Sequence, residues 1–245
     1  MSGWPPGTGR LIVETCDSTT AEAMRQMSAG VPLPFWLLTR RQTEGRGRRG
    51  RAWHMREGDF AATHVQRVRA RPEGAALRSF TTVLALREAI DELTGLGPRI
   101  SLKWPNDLLF DGAKLAGILL GCEGQGPEVV LSTGIGVNLA ARPAPELLDT
   151  PAVEPALLPT PVAPDALLDA LAPAVARWER VLEDAGFEPV RAAWLAHAAR
   201  LGEMVTARLP TSEISGRFRT LDARGALVLD TAEGARAIAA AEVQF

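Results

Sequence analysis

The two lysines of the chain lie close together in a protein that otherwise uses arginine for positive charge. Of 27 basic residues only Lys103 and Lys114 are lysines, and both fall within residues 101–120. An ammonium is a compact, strongly hydrated point charge that a planar guanidinium cannot replace. The pattern indicates that this segment needs lysine for its chemistry.

A predicted hairpin brings a carboxylate towards one of these lysines. Asp111-Gly112 is a strong signal for a two-residue turn, so Asp107 and Lys114 are expected on adjoining strands, where their side chains can approach each other. A lysine beside a carboxylate is either a structural ion pair or a catalytic cation. The sequence leaves both interpretations open.

Residues 39–53 are rich in arginine, with six arginines and one glutamate. Gly45–Gly50 satisfies the GxGxxG expression, but no apolar helical stripe follows, which argues against a dinucleotide-binding turn. Glycines let a backbone approach a phosphate, and guanidiniums supply charge-assisted donors. We interpret residues 41–58, named the Gly/Arg loop below, as a mobile anion-binding loop. A solvated surface loop and an RGG-like nucleic-acid contact are the alternatives.

Two further segments carry groups that can face a ligand. Residues 17–19, Asp-Ser-Thr, precede a predicted helix, where they either cap the helix or present hydroxyl and amide donors to a pocket. Glycines within the strand 134–138, and Gly117 in another strand, indicate close approach of a ligand or backbone, with a bulge as the alternative. The three histidines have no ligand spacing, so no metal site is predicted.

The elements that must position these residues alternate between strands and helices. Apolar patterns predict strands at 11–14, 35–40, 60–66, 100–104 and 128–139, together with a hairpin over 107–120. Helical periodicity predicts helices at 20–29, 76–94, 165–184 and 188–199. This mixture, with its hairpins, predicts an α+β fold and not a doubly wound parallel sheet.

Two stretches depart from that pattern. Seven prolines lie between residues 143 and 164, which predicts an irregular connection without a helix. After Leu201, short strands within 203–209, 214–221, 226–231 and 237–243 are separated by turns, including one at 222–225. We predict a main domain at 1–199 and a small all-β domain at 200–245 that packs against it.

Composition excludes several classes of protein. A formal net charge of -2 with 23% charged residues fits neither a polybasic nucleic-acid binder nor a disordered acidic tail. No apolar run approaches the ~18 residues that a membrane span needs, and the start lacks a signal-peptide core. Cys16 and Cys122 match neither a disulfide scaffold nor a zinc site. We expect a cytoplasmic globular protein without membrane contact.

Four motifs in this order resemble those of biotin protein ligases. They are Asp-Ser-Thr at 17–19, Gln-x-x-GRGRRGR-x-Trp at 42–53, KWPNDL with KLAGIL at 103–108 and 114–119, and Gly-Ile-Gly-x-Asn at 134–138. The resemblance covers most of the chain. It implies a mixed central sheet flanked by helices, of the kind shared by class II aminoacyl-tRNA synthetases and biotin–lipoate ligases. It also implies a small SH3-like C-terminal domain.

The resemblance further implies the reaction and its participants. Biotin would be activated with ATP, accompanied by Mg2+, to biotinyl-5'-AMP, and then transferred to a lysine of a biotin carboxyl carrier domain of acetyl-CoA carboxylase or a related carboxylase. Residues implied to line the biotin and biotinyl-adenylate site are Ser18, Thr19, Thr20, Gln42, Gly45, Arg46, Gly47, Arg48, Lys114 and Gly117. Residues implied for ATP and its phosphates are Arg49, Arg51, Trp53, Asn106, Asp107 and Asn138.

Roles within this set follow from the same resemblance. Lys114, with Arg46 and Arg48, would be catalytic, because a carboxylate attacking a phosphate needs cations to neutralise the approach. Ser18 and Thr19 would bind the ureido head of biotin. The pair 106–107 would orient the lysine or the phosphates, and the Gly/Arg loop would fold over the intermediate.

Some positions depart from the family pattern. Contacts from residues 54–60 are not carried over, because HMREGDF replaces the usual segment. Glu44 places a carboxylate beside the loop, where it is expected to restrain an arginine. Fewer than the roughly 60 residues of a winged helix-turn-helix precede Asp17, so a ligase without DNA binding is expected. Exposed sheet edges make a homodimer possible.

Three other functions compete with this one. A lipoate–protein ligase would use the same fold and adenylate chemistry. A non-catalytic protein that recognises the carrier would be a binding module. An arginine-rich RNA-binding protein would lose affinity steeply with salt and make no use of ATP.

Overall fold

Two β-sheets with flanking helices make up the computed structural model, which describes residues 3–140, 156–209, 211–239 and 241–244. The strands of the first sheet are β1 (Gly9–Cys16), β2 (Phe35–Gln42), β3 (Phe60–Val68), β4 (Ile100–Lys103), β5 (Asp107–Phe110), β6 (Ala113–Glu123) and β7 (Val129–Val137). The helices are α1 (Thr19–Ser28), α2 (Pro72–Ala75), α3 (Arg78–Thr94), α4 (Pro164–Ala185) and α5 (Phe187–Leu195).

The first sheet is mixed, with strand order β1-β2-β3-β7-β6-β5-β4. Strands β1 and β2 are parallel and joined through α1, as a parallel pair requires a crossover. The remaining neighbours are antiparallel. The α+β fold with a mixed central sheet is thereby confirmed.

Alternating residues of β2 show how the sheet is covered on both faces. Trp36 and Leu38 belong to the main core, which also holds the buried side chains of α3, α4 and α5. Phe35 and Leu37 point to the other face, where they pack with Ala23 of α1. Successive strand residues face opposite sides, so a continuous apolar run such as 35–38 predicts a strand that is buried on both faces.

The hairpin between β5 and β6 forms as its turn residues predict. Asp111 and Gly112 adopt φ values of 49° and 82°, which suit a turn that requires positive φ at both central residues. Strand β5 pairs with β6 in a register that shifts between Leu108 and Leu109. This hairpin sets Asp107 and Lys114 on neighbouring strands.

The C-terminal sheet contains β8 (Met204–Arg208), β9 (Glu213–Leu221), β10 (Leu227–Thr231), β11 (Gly234–Ile238) and β12 (Glu242–Gln244). Its order is β11-β10-β9-β8-β12, so the single strand predicted over 237–243 is wrong. The chain leaves β11 at one edge and returns as β12 at the opposite edge, which a continuous strand could not do.

The C-terminal sheet contacts the main domain through both apolar packing and a hydrogen bond. Trp194 of α5 packs against Phe218 of β9 with ring centroids 6.4 Å apart. The buried indole of Trp104 donates a hydrogen bond of 2.9 Å to the carbonyl oxygen of Gly225. The C-terminal sheet therefore packs on the main core, although the domain boundary at residue 200 stays a prediction.

Two predicted helices are present, although their bounds differ from the predicted ones. The helix predicted over 76–94 begins at Arg78, and the one predicted over 188–199 ends at Leu195. Residues 143–155 of the proline-rich stretch lie outside the described residues, while 156–163 contain neither helix nor strand. Among the helices of the described residues, none combines the length and the apolar character that a membrane crossing requires.

Candidate active site

One cavity collects nearly all of the site residues expected from the sequence. Its walls come from the start of α1, the Gly/Arg loop, the turn between β4 and β5, strands β6 and β7, and the short strand β12. The predicted residues on its lining are Ser18, Thr19, Thr20, Gln42, Arg46, Gly47, Arg48, Arg49, Arg51, Trp53, Asn106, Asp107, Lys114, Gly117 and Asn138.

Gly45 is the predicted residue that does not line the cavity. It is buried beneath the Gly/Arg loop, where a Cβ atom would collide with the Gln42 side chain and with the carbonyl oxygen of Trp53. Its missing side chain lets the loop close tightly. Gly45 therefore supports the loop, and its assignment to the ligand site stays a prediction.

The tip of the Gly/Arg loop is a narrow hairpin. Arg46 and Ala52 form an antiparallel bridge, and the Gly47 amide donates to the Arg51 carbonyl at 2.7 Å. Arg49 adopts a left-handed conformation with φ 58° and ψ 27°, which is uncommon for a residue other than glycine. The hairpin directs several guanidinium groups along one side of the cavity.

Two arginines of the loop have fixed partners across the cavity. Arg48 donates from Nη1 to Oδ1 of Asn106 at 3.2 Å, and burial lowers its pKa while the nearby Asp107 acts in the opposite direction. Arg51 donates to both carboxylate oxygens of Glu242, at 3.1 and 2.6 Å. The expected restraint by Glu44 is wrong, since no ion pair among the described residues includes it and Glu242 takes that place.

Lys114 meets the carboxylate that the hairpin predicts. Its Nζ lies 2.9 Å from Oδ1 of Asp107, and 5.8 Å from the ring centroid of Trp53. The lysine side chain keeps 34% of its exposure, so the ammonium can still reach a ligand in the cavity. The ion pair is therefore present, while the catalytic role of Lys114 stays a prediction.

Asn106 and Asn138 form hydrogen bonds to the main chain near Lys114. The side-chain amide of Asn106 donates to the Ile118 carbonyl, and the main-chain carbonyl of Asn106 accepts from the Ile118 amide at 3.0 Å. Asn138 donates from Nδ2 to the carbonyl oxygen of Lys114 at 3.3 Å. Asn106 thus orients Arg48, Asp107 orients Lys114, and Asn138 supports the lysine main chain.

The prediction that Ser18 is an N-cap residue is confirmed for its position but not for its side chain. Ser18 is the N-cap residue of α1 but makes no side-chain capping hydrogen bond, so its hydroxyl remains available at the cavity wall. Asp17 instead accepts from the Ser18 amide at 2.7 Å and pairs with Arg25. Hydrogen bonds from Arg25, then from the Ser18 amide, lower the pKa of Asp17 to about 2.

The glycines of β6 and β7 make room for a tryptophan ring. A Cβ atom at Gly136 would lie 2.6 Å from Nε1 of Trp53, and one at Gly117 would lie 3.4 Å from the Cζ3 atom of the same ring. A Cβ at Gly134 would lie 2.8 Å from Oγ1 of Thr20. Close approach of a protein side chain therefore explains Gly134 and Gly136, whereas a Cβ atom at Gly117 would make only ordinary van der Waals contact with Trp53.

Three residues in or behind the cavity were given no site role from the sequence. Lys103 is buried, and its burial lowers the pKa of its ammonium, which also feels Asp107 and Lys114. Glu242 belongs to a three-residue strand that carries no motif. Thr63 is fully buried under the start of α1 and bonds to Thr19. The alternation of residues along β3 predicts which face of the strand Thr63 lies on. It does not show whether the hydroxyl binds a partner or the side chain only fills the core.

The segment 54–60, which departs from the family pattern, is organised by one carboxylate. Buried Asp59 accepts hydrogen bonds from the amides of Leu139 and Ala140, at 2.8 and 2.9 Å, and from that of Arg56 at 2.9 Å. It therefore ties the end of the Gly/Arg loop to the residues after β7.

Known protein families match the chain over both of its sheets. Residues 14–138 match the model of the biotin/lipoate A/B protein ligase family, and residues 201–245 match that of the biotin protein ligase C terminal domain. A biotin–[acetyl-CoA-carboxylase] ligase of Paracoccus denitrificans is 46% identical over 239 residues, which is 94% of this chain and 97% of that protein. The chain belongs to the biotin protein ligase family.

Other members of the biotin protein ligase family agree with this assignment. The biotin–[acetyl-CoA-carboxylase] ligase of Mycobacterium tuberculosis is 31% identical, covering 95% of this chain and 87% of that protein. The solved structure of the biotin protein ligase from Aquifex aeolicus in complex with biotin and ATP superimposes with a TM-score of 0.79 at 25% identity. It covers 96% of this chain and 97% of the other. The biotin protein ligase fold thus extends over both sheets.

Proposed function

We propose that this protein activates biotin with ATP and transfers it to a lysine of a biotin carboxyl carrier domain of acetyl-CoA carboxylase or a related carboxylase. Its relatives from Paracoccus and Mycobacterium are named for this ligation. The observation that carries the proposal is the position of Lys114. This ammonium is held by Asp107 in the same cavity as the Gly/Arg loop and the polar residues at the start of α1.

The first step joins two anions. An oxygen of the biotin carboxylate attacks the α-phosphorus of ATP, the bond between that phosphorus and the bridging oxygen breaks, and pyrophosphate leaves with the electron pair. Lys114 would contact both the carboxylate and the α-phosphate, and Arg46 and Arg48 would neutralise the charge on the phosphate oxygens. Fixed cations that meet developing charge are worth several kcal/mol of transition-state stabilisation.

The second step releases AMP. The neutral amine of the carrier lysine attacks the acyl carbon of biotinyl-5'-AMP, the bond from that carbon to the phosphate oxygen breaks, and AMP leaves. The electron pair of the broken bond stays on the AMP phosphate, the nitrogen loses its proton to solvent, and an amide forms. Because positioning and charge stabilisation suffice for both steps, no covalent bond to the enzyme is needed.

The Gly/Arg loop would protect the intermediate between the two steps. An acyl adenylate hydrolyses in water, so a loop that covers it preserves the product of the first step. The hairpin at the loop tip lines the cavity opposite β6 and β7, with Trp53 lying against the glycines of both strands. We assign Arg49 and Arg51 to the phosphates of ATP and Ser18 and Thr19 to the ureido head of biotin.

Magnesium would enter with ATP. Among residues 3–140, 156–209, 211–239 and 241–244, no group of three or more His, Cys, Asp or Glu side chains can hold a metal ion. The cavity carboxylates Asp107 and Glu242 are both paired with cations. Mg2+ commonly binds through substrate phosphates with only one or two carboxylates, so the donor set fits MgATP as the substrate.

A direct assay tests the proposal. The protein is incubated with biotin, ATP and Mg2+ in the absence of carrier, and biotinyl-5'-AMP is sought by mass spectrometry. A parallel incubation with lipoate tests the lipoate–protein ligase alternative. Formation of the biotin adenylate alone is the expected result, while a lipoyl adenylate alone, or no use of ATP, would overturn the proposal.

Other expectations stay predictions. They concern the homodimer, the absence of DNA binding, the cytoplasmic location and the domain boundary between residues 199 and 200. The domain boundary matters for the site, because Glu242 of the C-terminal sheet lines the cavity together with residues of the main domain.

A further inference from the structure

A chain of three threonine hydroxyls lies behind the cavity wall, at the start of α1. Thr19 and Thr20 line the cavity, whereas Thr63 of β3 does not and is fully buried. Thr63 donates from Oγ1 to Oγ1 of Thr19 at 2.9 Å. It also lies 3.3 Å from Oγ1 of Thr20. Thr63 is thus the buried link between two cavity residues.

The number of protons fixes the direction of these hydrogen bonds. Each hydroxyl donates one proton. The Thr63 proton goes to Thr19, so the bond between Thr20 and Thr63 must be donated by Thr20. The Thr19 hydroxyl donates in turn to Oε1 of Gln42 at 3.3 Å, and the Thr19 amide donates to the same oxygen at 2.9 Å.

This arrangement decides which groups remain for a ligand. The amide oxygen of Gln42 accepts two hydrogen bonds from Thr19, so its NH2 group is left as a donor. The hydroxyl proton of Thr19 goes to Gln42 and that of Thr20 goes to Thr63, so the groups that these two hydroxyls have left for a ligand are oxygen lone pairs. The wall therefore presents acceptors at two positions and a donor at a third.

The backbone makes room for this chain of hydroxyls. Thr63 pairs directly with Gly134 of β7, and a Cβ atom at Gly134 would lie 2.8 Å from Oγ1 of Thr20. A side chain at that position would push Thr20 away from Thr63. The glycine is therefore part of the same arrangement.

We propose that Thr63 is a positioning residue that sets the hydrogen-bonding polarity of the wall formed by Thr19, Thr20 and Gln42, and thereby selects a cyclic urea. This inference rests on the proposed function. A ureido ring carries two N–H donors and one carbonyl acceptor, which complements the two acceptors and one donor of the wall. A dithiolane ring offers no N–H group to the same oxygens. A site whose polar groups are left unpaired by an analogue rejects that analogue strongly.

The test compares Thr63→Val with Thr63→Ser. Valine keeps the shape but removes the hydroxyl, so Thr19 and Thr20 are free to reorient and the KM for biotin should rise about tenfold. Desthiobiotin retains the ureido ring without the sulfur, and its KM should rise by the same factor. The values of kcat and of the KM for ATP should stay within about twofold, because the hydrogen bonds of Thr63 go to Thr19 and Thr20, which are not among the residues assigned to the phosphates. Serine restores the hydroxyl and should return the KM for biotin to within about threefold of the original.

Two further variants separate positioning from stability. Thr82→Val removes an equally buried hydroxyl from α3, where it donates to the Arg78 carbonyl, and should leave the KM for biotin unchanged. Thr63→Ala gives the same readout with a smaller side chain if valine impairs folding, which a melting curve reports.

Each outcome decides the inference. An unchanged KM for biotin in both Thr63→Val and Thr63→Ala overturns it, provided that the unmodified protein forms biotinyl-5'-AMP. Equal losses for biotin and ATP without rescue by serine also overturn it, because they indicate only a structural role. Failure of the unmodified protein to use biotin refutes the proposed function itself, which distinguishes the two.

Discussion

Arg51 and Glu242 form an ion pair that joins the Gly/Arg loop to the last strand of the chain. Nη2 of Arg51 lies 2.6 Å from Oε2 of Glu242, and Nη1 of Arg49 lies 3.9 Å from the same oxygen. The hydrogen bonds from Arg51 hold the pKa of Glu242 below its usual range, although burial acts in the opposite direction. The C-terminal sheet thereby holds one side of the loop that borders the cavity.

Breaking this pair should loosen the loop without unfolding the protein. Glu242→Gln keeps the shape but removes the charge, and a partly exposed ion pair is worth about 0.5–1 kcal/mol. The rate of trypsin cleavage after the loop arginines should therefore rise about 2–5-fold, as followed by limited proteolysis. Glu213→Gln breaks the exposed pair with Arg208 within the C-terminal sheet and serves as the matched control. Equal cleavage rates in all three proteins would contradict the role of Glu242.

Local signals in the sequence predict much of the fold. The turn at Asp111-Gly112 needs positive φ at both residues, and these residue types supply it, so the hairpin and the meeting of Asp107 with Lys114 follow from short-range chemistry. The continuous apolar run 35–38 predicts a strand covered on both faces. Such features depend on neighbours in the sequence.

Long-range contacts could not be predicted in this way. Arg51 and Glu242 are 191 positions apart, and nothing in a three-residue strand marks a partner for an arginine. The predicted strand 237–243 was split for a similar reason, because strand order across a sheet is set by tertiary packing. The link from Thr63 to Thr19 spans 44 positions and depends on α1 lying over β3. Sequence patterns therefore predict the segments of the site more readily than the contacts between them.

Loss of the Lys114 ammonium should reduce adenylation far more than it reduces stability. Lys114→Ala removes the cation that we assign to both the biotin carboxylate and the α-phosphate, so formation of biotinyl-5'-AMP should slow by ~10²–10³-fold. The pair with Asp107 is partly exposed, and its loss should lower the free energy of unfolding by about 1 kcal/mol or less. Single-turnover kinetics and thermal melting measure the two effects.

A second substitution at this position tests the geometry of the charge. Lys114→Arg keeps a positive charge but replaces the compact ammonium with a planar fork, so it should recover only part of the rate. If Lys114→Ala is nearly as active as the unmodified protein, the lysine has no part in the reaction. If arginine restores the full rate, charge alone accounts for its role.

Arg48 should act on retention of the intermediate. Its guanidinium is anchored to Asn106 and lines the cavity, so Arg48→Ala removes a cation and opens one side of the Gly/Arg loop. Biotinyl-5'-AMP formed without carrier should then escape about tenfold faster, by analogy with the loss of one charge-assisted hydrogen bond. Rapid filtration of enzyme-bound and free adenylate measures the escape. An adenylate that persists as long as in the unmodified protein would refute the function of the loop as a cover.

His64 should limit stability in acid. The ring is stacked on Trp36 with centroids 4.6 Å apart, and burial lowers its pKa from 6.5 to about 4. Because the folded protein favours the neutral ring, this contribution to stability is present above pH 6.5 and is lost as the pH falls towards 4. The loss between pH 7 and pH 4 amounts to roughly 3 kcal/mol.

His64→Phe retains an aromatic ring against Trp36 but cannot titrate. Urea unfolding over this pH range should show the free energy of unfolding falling more steeply in the unmodified protein than in the variant, and parallel profiles would show that His64 does not titrate with folding.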